Sequence, residues 1–344
     1  MKTGSLGRTG IHVSRYCLGT MMFGPAGNAD PDDCHRIIRR ALDAGINFVD
    51  TADVYGYSET ETIVGKALKG RRDDVVLATK FSGQMGEDPN RRGASRRWII
   101  TAVEESLRRL QVDHIDLYQI HHFDPATDLE ETLSALSDLV TSGKVRAVGS
   151  SSFLASDIVE AQWASERRGL VRLRTEQPSY SILSREIERD VLPVCERYGM
   201  GVITWSPLAW GLLTGKYRDG QNGADSPSRA QWGPRHMTDP DKYAAVEKLA
   251  DVAASAGISM THMALSFVTT HPAVTAAIIG PRTTEQLDDL LAAADTVLTD
   301  EVLDRIDEIA TPGTNIGCTD IGYTPSSLTV ASQRRRAAAD RSSA

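Results

Sequence analysis

Short apolar runs of four or five residues recur along the chain, each followed by a polar loop, a segment with apolar residues every third or fourth position, and a glycine. Apolar runs bounded by turn residues predict buried strands, and the 3.6-residue period predicts amphipathic helices. Strands are expected at 16–19, 47–50, 75–79, 117–121, 147–150, 174–177, 202–205 and 276–279. Ile37, Ile38, Ala41 and Leu42 share one face of the first helix, and Ile63, Val64, Ala67 and Leu68 one face of the second. Asp30 followed by Pro31 predicts a capped helix start. Ser58 with Glu61 has the spacing of a reciprocal cap. Gly45, Gly70, Gly143, Gly169, Gly199 and Gly257 are placed to end successive helices in a left-handed conformation.

Eight strands alternating with helices imply parallel pairing, and the closed solution is an α/β fold, a (β/α)8 TIM barrel. Ahead of it, "KTGSLGRTGIHVS" reads as an N-terminal β-hairpin with Gly7 and Gly10 framing its turn. The rival is a doubly wound sheet, but no G-x-G-x-x-G occurs, and "GLLTGKY" (residues 211–217) has neither the spacing nor the Ser/Thr of a phosphate loop. Two loops, 81–94 and 209–239, are longer than ordinary connections and follow strand C-termini, the end of a barrel where chemistry sits. The barrel is expected over residues 1–312, and 313–344 as a largely disordered tail.

Composition narrows the picture further. A chain of 344 residues buries enough surface to fold without staples. Its four cysteines, Cys17, Cys34, Cys195 and Cys318, are scattered without a pairing or zinc spacing, which fits a reducing cytoplasm. The start "MKTGSLGRTG" lacks the apolar core of a signal peptide, and no apolar run reaches membrane-spanning length, so no membrane partner is expected. A net charge of −8 argues against nucleic acid, and the one basic cluster, Arg334 to Arg336, falls in the tail.

Three strands end on chemistry: Asp50 closes the second, Lys80 follows the third, and His121 closes the fourth, with Tyr55 in the loop after the second. Adjacent barrel strands run about 5 Å apart, so these side chains can converge. A phenol near pKa ~10 is a poor acid at neutral pH unless a cation stabilises its phenolate. Lys80 can be that cation, Asp50 can keep it charged and oriented, and His121 can donate to a carbonyl oxygen. Taken singly, each is more often a packed or paired side chain than a catalyst; four at one mouth point to protonation of a developing alkoxide. His121 and His122 do not suggest a metal, since neighbouring strand residues face opposite ways and no third ligand is spaced to join them.

The stretches "NFVDTADVYG", "LATK", "DLYQIH", "VRAVGSS", "ITWSPLAWGLLTGKY" and "IIGPRTTEQL", in that order, resemble the aldo-keto reductase superfamily from residue 1 to about 311, nearest its bacterial aldehyde reductases and potassium-channel β-subunits. The resemblance implies that Asp50, Tyr55, Lys80 and His121 form a catalytic tetrad with Tyr55 as general acid, and that NADP(H) lies extended across the mouth. Gly19, Thr20 and Met21 match residues beside the nicotinamide. Ser151 and Gln177 match its carboxamide partners, and Trp205 the ring that stacks on it; Ser152 matches only weakly. Ser206, Leu208, Gly211 and Lys216 match the pyrophosphate loop. Gly280, Arg282, Gln286 and Asp289 fall in the adenosine-phosphate clamp, where Arg282, Lys216 and Arg229 would hold a 2′-phosphate. Gln286 with Thr283 also reads as a helix-capping pair. Leu290 departs from the pattern, standing where many relatives carry an adenine-binding asparagine.

The function so implied is NADPH-dependent reduction of a small-molecule aldehyde or ketone, with no metal. The alternative is a redox-sensing NADP(H)-binding subunit of a larger assembly with only slow turnover. A Schiff-base role for Lys80 is disfavoured because Asp50 keeps the amine protonated. Trp98, Trp210 and Trp232 near the long loops suit an apolar carbonyl or plain packing, and no pattern encodes the oligomeric state.

Overall fold

The computed structural model describes residues 1–25, 27–218, 233–319, 328 and 330–335. Its centre is a closed barrel of eight parallel strands: β3 (Tyr16–Gly19), β4 (Phe48–Asp50), β5 (Val76–Phe81), β6 (Ile115–Ile120), β7 (Val145–Ser151), β8 (Thr175–Gln177), β9 (Gly201–Thr204) and β10 (Val274–Ile279), with β10 closing onto β3. All eight expected strands are present, with no end shifted by more than two residues. Lys80 lies inside β5, paired in register with Gln119 of β6, so the third strand runs further into the mouth than its apolar run suggested.

Helices α1 (Pro31–Asp43), α2 (Glu59–Ala67), α3 (Arg96–Leu110), α4 (Leu129–Thr141), α5 (Ala155–Arg168) and α6 (Val191–Tyr198) fill the successive crossovers. A short α7 (Pro234–Met237), then α8 (Pro240–Ser255) and α9 (Met260–Thr270), precede β10, and α10 (Thr284–Ala292) and α11 (Asp300–Ile309) follow it. Asp30 accepts from the amides of Asp32 and Asp33, as its position predicts. The six helix-ending glycines all have positive φ.

The cap expected at Ser58 does not form. Gly56, Tyr57 and Ser58 are all left-handed, with φ of 54°, 53° and 78°, whereas an N-cap needs an extended residue. Glu61 turns inward instead, to Thr79 and Arg109.

The foot of the barrel is closed by the expected hairpin, β1 (Thr3–Ser5) and β2 (His12–Ser14), whose Leu6 and Val13 pack with Phe48, Ala78, Leu117, Ile203 and Ala276. Gly7 sits where the hairpin presses on β9: its φ is +56°, and a Cβ there would lie 2.6 Å from the Gly201 nitrogen. Beyond α11 the chain stays on the barrel as far as Thr319. Asn315 Oδ1 accepts from the Arg185 amide at 2.8 Å, and the Cys318 amide donates to Asp239 Oδ2 at 2.6 Å. Most of the expected tail lies outside the described residues. Among those residues no single helix is long and apolar enough to cross a membrane.

Candidate active site

Strand alternation aims Asp50, Lys80, Gln119 and Gln177 at the barrel axis one layer above the hairpin plug. Lys80 Nζ donates to Asp50 Oδ1 at 2.5 Å, to the Thr51 carbonyl at 2.9 Å and to the Tyr55 hydroxyl at 3.2 Å, so all three of its protons are placed. Asp50 Oδ2 accepts from Gln119 Nε2 at 3.1 Å and Gln177 Nε2 at 3.0 Å. The pair is buried, and beyond each other four groups satisfy it: the Thr51 carbonyl, the Tyr55 hydroxyl and the two glutamine amides. Burial opposes the Lys80 charge, but Asp50 and Tyr55 outweigh it and hold the ammonium above its ordinary pKa.

Tyr55 and His121 meet edge to face, with ring centroids 5.7 Å apart and planes at 81°. His121 is partly exposed at the mouth, though its Nδ1 is buried and has no hydrogen-bond partner among the described residues. Burial, then Lys80 and His122, push this imidazole well below the ordinary histidine range, so it is neutral near pH 7 and can donate through one nitrogen only. The His121 and His122 rings do not point apart as alternation predicted; they stack at 4.5 Å and 11°. Both lie past the end of β6 at Ile120, where alternation no longer holds.

A cavity of about 210 Å³ opens above the tetrad. Gly19, Thr20, Met21, Asp50, Tyr55, His121, Ser151, Gln177, Trp205 and Ser206 line it, with His122, Ser152, Trp210 and Ile278. Trp210 and Ile278 also line a second cavity of about 300 Å³, whose walls include Leu208, Gly211, Lys216, Gly280, Arg282, Gln286 and Asp289. The two share these walls as a trough across the mouth. Lys80 lies beneath it, and Arg229 and Trp232 fall outside the described residues. Trp98 is buried between α3 and its surroundings, under the Arg91 guanidinium, and lines neither cavity.

Local chemistry explains these placements. The Thr20 amide and hydroxyl both donate to the Asp50 carbonyl at 3.0 Å, tying β3 to β4. Ser206, Ala209, Trp210 and Gly211 all have positive φ, an unusual run that wraps the loop after β9 around the junction of the cavities. Trp205 meets Trp210 edge to face at 6.5 Å, and Trp210 stacks on His236. Thr283 caps α10 as expected, but the Gln286 side chain accepts from the Arg282 amide at 2.8 Å, one residue ahead of the reciprocal position. Asn28 Nδ2 donates to the Arg282 carbonyl at 2.8 Å, and Asp289 Oδ1 lies 3.0 Å from His262 Nε2.

Gln119 was not anticipated from sequence. Its signal is a polar residue two after Leu117 in an otherwise apolar stretch, hence on the same inward face. His122, Ser152 and Ile278 also join the wall by virtue of position alone.

A family profile described as the aldo/keto reductase family matches residues 15–311. An uncharacterized oxidoreductase, YrpG, of Bacillus subtilis (strain 168) is 43% identical over 316 residues, covering 88% of this chain and 94% of that protein. A probable voltage-gated potassium channel subunit beta of Oryza sativa subsp. japonica is 35% identical over 321 residues, covering 90% of this chain and 96% of that protein. The aldo-keto reductase YhdN of Bacillus subtilis (strain 168) is 36% identical over 297 residues, covering 84% and 88%.

Proposed function

The chain belongs to the aldo/keto reductase family, and from that premise we propose that it uses NADPH to reduce an aldehyde or ketone, with Tyr55 delivering the proton to the carbonyl oxygen. The observation that carries this reading is Lys80 Nζ, which joins Asp50 at 2.5 Å to the Tyr55 hydroxyl at 3.2 Å. An ammonium at that distance favours the phenolate left behind when the proton moves, which makes the phenol a stronger acid. Asp50 keeps the ammonium charged and, through Gln119 and Gln177, is itself held still. Neutral His121 donates an N–H to the carbonyl oxygen and orients it toward Tyr55. Met21, Trp205, Trp210 and Ile278 make the wall largely apolar, so little water screens these dipoles.

The residues present suit a dinucleotide. Bound there, its nicotinamide supplies the hydride. Ser151, Gln177 and Trp205 would hold the ring; Gln177 Nε2 is committed to Asp50 and Gln119, so its oxygen is the atom offered to an amide donor. Ser206, Leu208, Gly211 and Lys216 would hold the pyrophosphate, and Gly280, Arg282, Gln286 and Asp289 the adenosine end. Leu290 offers no hydrogen bond to adenine. Arg282 and Lys216 bring two cations into the second cavity, which favours a 2′-phosphate over a hydroxyl.

A panel of aromatic and aliphatic aldehydes and ketones, followed by NADPH oxidation with wild type and Tyr55→Phe in parallel, tests the reading. Turnover by wild type alone supports it. Tight NADPH binding with no oxidation on any carbonyl rules it out.

A further inference from the structure

Behind Lys80, on the outer side of the barrel wall, lies a second set of buried polar side chains that the proposed reaction leaves unused. Thr79 Oγ1 on β5 donates to Glu61 Oε1 of α2 at 2.6 Å, and Arg109 Nε of α3 donates to Glu61 Oε2 at 2.7 Å. Beside them Asp53 is 1% exposed, and neither carboxylate oxygen has a hydrogen-bond partner among the described residues. The fully buried hydroxyl of Tyr118, on β6, has none either. Buried polar atoms without partners are costly enough that they call for a reason.

Asp53 stands two residues before Tyr55, on the same turn. Its amide donates to the Lys80 carbonyl at 3.1 Å, while Lys80 Nζ donates to the Tyr55 hydroxyl at 3.2 Å. One lysine therefore holds both ends of the segment, by backbone at 53 and by side chain at 55. The charged groups around Asp53 are Glu61 from α2, Arg109 from α3 and Lys80 from β5, with the neutral Tyr118 phenol from β6. Arg109 is already bonded to Glu61, and Lys80 to Asp50. An ionised Asp53 would be a surplus buried charge without a side-chain donor, whereas a protonated one is neutral and carries a donor of its own.

We propose that Asp53 is a positioning residue for Tyr55: as a neutral acid it keeps the turn seated against β5, and its ionisation frees the turn and withdraws the phenol from the carbonyl. This rests on Tyr55 being the proton donor, as proposed above. Burial first, and Glu61 second, push the Asp53 carboxyl up to about 8, against the opposing pull of Arg109, the Val54 amide and Lys80. Burial, reinforced by Asp53 and Glu61, likewise keeps the Tyr118 phenol neutral. The left-handed run Gly56, Tyr57 and Ser58 separates the turn from the start of α2 at Glu59.

Asp53→Asn, isosteric and permanently neutral, tests the proposal in the full chain. Other groups also make turnover vary with pH in both proteins, so the measured quantity is the ratio of kcat at pH 9 to kcat at pH 6.5. That ratio is expected to be at least threefold higher in Asp53→Asn, with kcat at pH 6.5 within twofold of wild type. Infrared difference spectra of wild type, with the folded variant as control, supply a second readout that is independent of turnover. Wild type should show a protonated-carboxyl band that fades as pH rises through about 8 and that Asp53→Asn lacks. Equal kcat ratios, or no such band in wild type, overturn the proposal. A wild type that reduces no carbonyl fails on the reaction itself, a different result from turnover whose pH dependence survives the substitution.

Discussion

Lys80 Nζ lies 2.5 Å from Asp50 Oδ1 with both side chains buried, so neither charge can be removed without stranding the other. Lys80→Met is expected to abolish carbonyl reduction and to destabilise the fold by about 3–5 kcal/mol, because Asp50 would keep only its two glutamine donors. Denaturant unfolding and single-turnover assays measure the two losses. A variant of normal stability and normal turnover would show that the pair is neither structural nor catalytic.

Tyr55→Phe removes the proposed proton donor but no expected contact to the dinucleotide. We expect kcat to fall by at least about 100-fold while the Kd for NADPH, read by fluorescence quenching, stays within a factor of about two. Near-normal kcat would mean that another group protonates the oxygen.

Arg282 and Lys216 share the second cavity. Arg282→Ala should raise KM for NADPH at least tenfold, roughly 1.4 kcal/mol, and leave KM for NADH nearly unchanged. Equal weakening of both cofactors would assign Arg282 to holding its loop, which Asn28 and Gln286 already brace through its backbone.

Gly7→Ala places a methyl 2.6 Å from the Gly201 nitrogen at a φ of +56°. Overpacking and backbone strain of this kind cost about 1–3 kcal/mol. The melting temperature should drop with kcat unchanged at 25 °C, since the hairpin is at the end remote from the trough. Unaltered melting would show that the hairpin can lift off β9 freely.

Glu176 is buried, accepting from Ser150 Oγ at 2.5 Å and from the Phe153 amide at 3.1 Å. Burial pushes its carboxyl up from the ordinary 4.5 to about 7 despite those donors. Between these two values only the unfolded chain releases the proton, so rising pH favours unfolding; above the upper one both states release it and the effect stops growing. Glu176→Gln cannot ionise. Its melting temperature relative to wild type should climb from pH 4.5 to pH 7 and then level, with a span of at most about 3 kcal/mol. A gap independent of pH would place the ionised form in the folded protein throughout.

The convergence of Asp50, Tyr55, Lys80 and His121 at one mouth was legible because apolar runs locate the strands, and the strands fix which residues lie at or just beyond their ends. Gln119 was visible by the same alternation but was hidden by its apolar neighbours. Ser58 misled because its spacing to Glu61 is local, while the left-handed backbone at Tyr57 and Ser58 belongs to a turn tied down just beyond it by Thr60 Oγ1 to the Phe23 carbonyl, 37 residues away in sequence. The stacking of His121 on His122 could not be foreseen without knowing that β6 stops at Ile120. Asp53 reads in sequence as one more loop carboxylate; only the fold, by closing α2 and α3 over it, removes its water.

The hairpin under the barrel also decides by which end the molecule can be gripped. The Lys2 carbonyl accepts from the Arg15 amide, and Met1 lies beside Gly45, so a linker or affinity tag joined ahead of Thr3 emerges where the strands begin. A support coupled there would hold the protein like a cup by its base, open face toward the reagent stream. Coupling through residues 313–319 would do the opposite, because that segment is fastened to Arg185 and Asp239 on the loops that border the opening, and an attachment there would crowd the rim.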